Sequence, residues 1–90
     1  MQVHIKVYGM VQGVFFRSQA KAVADDLGLT GWIRNDDDGS VETVAEGPRE
    51  KLKEFEVWCE NGPPFAKVKE VKVDWSKQQE DFASFEILGD

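Results

Sequence analysis

Two helical stripes set among alternating strands constrain this chain more than any other feature. Ala20, Val23, Ala24 and Leu27 stand at i, i+3, i+4 and i+7, and Leu52, Phe55 and Cys59 lie three and four apart, so each set forms one apolar helix face. Around them run segments of period two. Val3, Ile5 and Val7 alternate with His4, Lys6 and Tyr8, and Val71, Val73 and Trp75 alternate with Lys72 and Asp74, the pattern of strands with one buried face. A short strand through Thr30–Arg34 and another over about Ser40–Glu46 fill the middle, and Phe85 and Ile87 mark a last one.

Punctuation separates these elements. Gly28 follows the first stripe, where helices commonly end. Asn35-Asp36-Asp37-Asp38-Gly39 is hairpin material, Asp-Gly supplying the positive φ angles of a tight turn. Pro48 suits the first position of the second helix, and Asn61-Gly62-Pro63-Pro64 ends it. The order is β-α-β-β-α-β with a short extra C-terminal strand. That predicts an α+β ferredoxin-like sandwich, an antiparallel sheet with two helices on one face. Ninety residues leave no room for a second core, so residues 1–90 read as one domain.

Charge narrows the partners. Seventeen acidic residues against eleven Lys and Arg give a net charge of -6. A general nucleic-acid or anionic-membrane binder needs a surplus of cations instead. Tyr8 is the most that the first strand offers as an aromatic platform on an open sheet face, so RNA is not the expected partner. No apolar run approaches a membrane span and residues 1–10 lack a secretory start, which makes the cytoplasm the default location, and a single small acidic domain is expected to be a monomer. Cys59 is the single cysteine and His4 the single histidine. A disulfide, a Cys-rich zinc site and most metal constellations are thereby excluded, and no cofactor is expected. Asp36, Asp37 and Asp38 lack the ligand spacing of a calcium loop and read as solvated turn residues. His4 reads as a partly exposed strand residue, Cys59 as a buried, inert thiol, and Trp32, Trp58 and Trp75 as packing.

One segment carries chemistry. Gly9-Met-Val-Gln-Gly-Val-Phe-Phe-Arg17 leaves a strand, turns through two glycines and enters a helix at its positive end. Free amides and the helix dipole favour an anion there, and the fork of Arg17 can grip a tetrahedral oxyanion at two points. The motif is neither a Walker loop nor a dinucleotide fingerprint. Spacing alone also accommodates, and rather favours, a plain tight turn followed by a solvated arginine.

Gly9-x-Val11-Gln12-Gly13-Val14-x-Phe16-Arg17 resembles the signature of the acylphosphatases, and Gly31-Trp32-Ile33-Arg34-Asn35 with Asp38-Gly39-Ser40-Val41-Glu42 resembles their second motif. The resemblance continues in order through Glu46-Gly47-Pro48, Trp58-Cys59, Gly62-Pro63-Pro64 and Val71-x-Val73-x-Trp75 to Phe85-x-Ile87; Ile33 for the family's common valine is a mild departure. It implies the same sandwich fold and hydrolysis of the carboxyl-phosphate bond of small acyl phosphates to carboxylate and inorganic phosphate, without a metal. It further implies that Arg17 and the loop amides of Gln12, Gly13, Val14, Phe15, Phe16 and Arg17 bind the phosphoryl group, inorganic phosphate included, and that Asn35 holds the attacking water. Arg34 competes as phosphate ligand, but strand alternation points neighbours to opposite faces. Two rivals stay in view: a non-catalytic small-anion binding module, and an acylphosphatase-like domain of a larger carbamoyl-transfer protein. Asn35 counts against the first, since anion binding needs only the loop and Arg17. A chain ending at Asp90 with no appended region counts against the second.

Overall fold

Alternation and helical stripes assemble as one sheet under two helices. The structure is a computed structural model and describes residues 1–89. Its elements are β1 (Gln2–Met10), α1 (Phe16–Asp26), β2 (Thr30–Asn35), β3 (Val41–Glu46), α2 (Arg49–Asn61), β4 (Lys67–Ser76) and β5 (Phe85–Ile87). The strands lie in the order β4-β1-β3-β2-β5. Val3, Ile5, Val7, Ile33, Val41, Thr43 and Ala45 bury one face of the sheet, against Phe16, Ala20 and Ala24 of α1 and Leu52, Phe55 and Cys59 of α2. Large aliphatic and aromatic side chains buried this fully contribute about 1.5–3 kcal/mol each. Phe16 meets Trp58 edge to face at 5.2 Å, and Phe55 meets Phe85 at 5.7 Å, so aromatic pairs link α1 to α2 and α2 to the last strand.

Four details differ from the sequence expectation. The sheet is mixed, because β5 runs parallel to β2 while the other pairs are antiparallel. The chain leaves β4 at one edge, crosses the end of the sheet and turns back up beside β2, which already runs that way. Gly9 belongs to β1 and sits at a bulge with φ 131, where a Cβ would press into the Lys67 carbonyl; the turn proper begins after Met10. Pro48 is the N-cap of α2, with ψ 141, and its carbonyl accepts from Leu52 N at 3.0 Å. The β2–β3 loop closes by Asp36 N to Ser40 O at 2.9 Å and Gly39 N to Asp36 O at 3.1 Å, with Gly39 alone at positive φ there. It is a longer turn than a two-residue Asp-Gly hairpin.

The segment between β4 and β5 is a strap held by one carboxylate. Glu46, only 3% exposed, accepts from Gln2 Nε2 at 2.8 Å and from the backbone N–H groups of Glu80 and Asp81 at 2.5 and 3.0 Å. Burial raises its pKa. The amides of Glu80, Gln2, Asp81 and Phe82 outweigh that effect and hold the carboxyl below the ordinary glutamate value. A depressed carboxyl pKa adds stability that is present above the unfolded pKa and lost as pH falls through the folded one. Glu46→Ala is therefore expected to cost about 2–3 kcal/mol at neutral pH, the scale of losing hydrogen bonds to a charged group. The difference between wild type and variant should shrink as pH falls below the ordinary glutamate value. Urea midpoints at neutral pH and in acid well below the ordinary glutamate value check it; an equal difference at both would assign the effect to packing.

Candidate active site

The loop between β1 and α1 is built to stand open. Val11, 1% exposed, pins it to the core. Gln12 Nε2 donates to the Asp36 and Ser40 carbonyls at 2.8 and 2.9 Å, bridging the loop to the β2–β3 turn. Gly13 and Phe15 both take positive φ, 74 and 66. A bulky residue in that conformation stores roughly 1–2 kcal/mol of strain. Phe15 occupies the N-cap of α1, where its side chain caps nothing and the first turn holds no acidic residue. Its carbonyl accepts from Gln19 N at 3.1 Å and from Ser18 Oγ at 3.2 Å. The first amides of α1 thus face outward at the positive end of the helix dipole.

These amides open on a pocket of about 400 Å³, lined by Val11, Gly13, Phe15, Phe16, Arg17, Ser18, Asn35 and Ile87. Arg17 is the second residue of α1. Its Nη1 lies 3.5 Å from the Leu88 carbonyl, and no carboxylate among the described residues pairs with it. Asn35 ends β2 opposite Val41, on the helix-covered face of the sheet. Its Oδ1 is buried without a hydrogen-bond partner among the described residues. Buried acceptors are rarely left so, and those that are mark places where something else bonds.

Of the residues singled out in the sequence, the pocket brings together Gly13, Phe15, Phe16, Arg17 and Asn35. Gln12 and Val14 do not line it: the Gln12 side chain is the bridge to the turn, and Val14 packs on the core. Val11, Ser18 and Ile87 join the lining without having been singled out. Ser18 follows Arg17 in the chain and was within reach of the motif; Ile87 arrives from the far end of the chain through its pairing with Ile33.

Arg34 points to the open face, as alternation requires. It binds Asp36 at 3.0 Å and Glu42 at 2.9 Å, and lies 4.8 Å over the Trp32 ring. Asp36 and Asp38 are not merely solvated, because each also pairs with Lys6, at 3.3 and 3.4 Å. The Ser40 hydroxyl and amide bring Asp38 down to about 2. They brace the turn that follows Asn35. His4 sits on the open face, half-exposed, 2.5 Å from Glu42. Cys59 is buried, and burial pushes its thiol pKa far up. Among the described residues no three His, Cys, Asp or Glu side chains cluster as a metal site, and no helix is long and apolar enough to cross a membrane.

Comparison with known proteins gives a consistent result. The family model for acylphosphatase matches residues 3–87. The acylphosphatase of Pelotomaculum thermopropionicum is 48% identical over 86 residues, covering 96% of this chain and 94% of its own. That of Pyrobaculum islandicum is 45% identical over 89 residues, covering 98% and 94%. The crystal structure of the Bacillus subtilis acylphosphatase superposes with a TM-score of 0.95 at 43% identity over 98% of both chains.

Proposed function

The chain belongs to the acylphosphatase family, and from that premise we propose that it hydrolyses small acyl phosphates at the pocket between α1 and β2, without a metal. The observation that supports this best is the meeting of two groups in one pocket: a guanidinium with no carboxylate partner and a buried amide oxygen with no donor among the described residues. The first suits a phosphoryl group, the second a water.

In this reading the phosphoryl oxygens sit on the outward amides of the loop and first turn, from Gln12 to Arg17, with Arg17 closing on them as a two-point fork. Asn35 Oδ1 accepts a hydrogen bond from the water and aims its oxygen at phosphorus. The new P–O bond forms as the bond to the acyl oxygen breaks, and the carboxylate departs with the electron pair. A phosphoryl oxygen of the substrate takes the water's proton. Carboxylate is a good leaving group, so positioning and charge stabilisation carry the reaction, with no side-chain nucleophile or base required.

The test is hydrolysis of benzoyl phosphate by the purified protein with a chelator present. Turnover that survives the chelator supports the reading. Binding of inorganic phosphate without turnover would replace it with the anion-binding module.

A further inference from the structure

The pocket is larger than its polar groups require, and one side chain there has no folding rationale. Phe15 keeps 67% of its surface exposed, buries nothing in the core and is held in a left-handed conformation that glycine or asparagine would accept more easily. Its neighbour Phe16 does the packing, 2% exposed against Trp58. Strain retained around a solvent-facing ring points to a role at the site. With Ile87 from β5 and Val11 from the loop, Phe15 gives the cavity an apolar wall beside its amides. A phosphoryl group seated on those amides leaves the remainder of its substrate to lie along that wall.

We propose that Phe15 is a specificity-determining residue for the acyl group, making bulky apolar, above all aromatic, acyl phosphates better substrates than small ones. The proposal rests on the acyl phosphate reading given above. A phenyl ring against Phe15 gains apolar burial and an edge or offset ring contact that a methyl group does not.

The experiment compares kcat/KM for benzoyl phosphate and acetyl phosphate in wild type, Phe15→Asn and Phe15→Trp. Asparagine keeps the left-handed turn and removes the ring. Damage to the amides would lower both substrates together and cancel in their ratio, and the intrinsic reactivity of each leaving group cancels when that ratio is compared between variants. The benzoyl-to-acetyl ratio is expected to fall about tenfold in Phe15→Asn, the size of one aromatic contact, and to be kept in Phe15→Trp. Relief of strain should also raise the Tm of Phe15→Asn by about 4 °C. An unchanged ratio with normal turnover overturns this proposal alone, and a lowered Tm overturns it by giving the ring a folding role. Turnover of neither substrate by wild type removes the acyl phosphate reading and this proposal with it.

Discussion

Arg17→Ala should abolish hydrolysis of benzoyl phosphate and competitive inhibition by inorganic phosphate together. The helix N-terminus contributes only about half a unit charge, whereas the arginine contributes a full charge and two parallel donors. Two or three charge-assisted hydrogen bonds at about 1.5–3 kcal/mol each correspond to a loss on the order of 10³-fold in kcat/KM. Arg17→Lys should recover little of this, because an ammonium point charge cannot span two oxygens as the fork does. Folding should hardly respond, since the only side-chain hydrogen bond or ion pair of Arg17 among the described residues is the 3.5 Å approach to the Leu88 carbonyl. Steady-state rates and phosphate inhibition constants, measured beside urea midpoints, decide it. Near-normal inhibition by phosphate in Arg17→Ala would move the anion elsewhere.

Asn35→Ala should separate binding from chemistry. Inorganic phosphate should still inhibit, while kcat drops by about 10²–10³, as when one oriented transition-state group is lost. The stability readout makes this test sharper. Asn35 Oδ1 is a buried acceptor without a partner among the described residues, so its removal should leave the protein as stable as before or up to about 1–2 kcal/mol more stable. A variant that folds as well or better and turns over far more slowly is the signature of a group kept for function. Wild-type kcat in Asn35→Ala would end the water-holding role, and a large loss of stability would mean that the side chain braces the turn instead.

Local periodicity carried most of the architecture. Val3, Ile5 and Val7 alternate so cleanly that β1 could face only one way, and the stripe through Ala20 and Ala24 could bury only one side of α1. The same alternation separated Arg34 from Asn35, and the structure puts them on opposite faces. What escaped depends on pairs distant in sequence. The parallel join of β5 to β2 is a consequence of where the strap emerges, and the strap is tied by Glu46, which in its strand looks like any outward-facing residue. The motif points to the Gln12 backbone amide; only the approach of the Asp36 and Ser40 carbonyls makes its side chain a bridge. The glycine loop shows the limit most plainly. Its spacing fits a bare turn as well as an anion site, and the difference lies in Asn35 and Ile87, brought in from two other strands.

The longest strand of the sheet lies at its rim. β4 has ten residues, pairs only with β1 and leaves its other side to solvent. A flat apolar edge of that length would invite pairing with the edge of a second copy. Lys67, Lys69 and Lys72 stand along this one, with Glu70 among them and Asp74 beyond. A second copy laid against this edge would have to crowd and desolvate those charges. The charges that do nothing for the pocket are of the kind that blunts an exposed sheet edge.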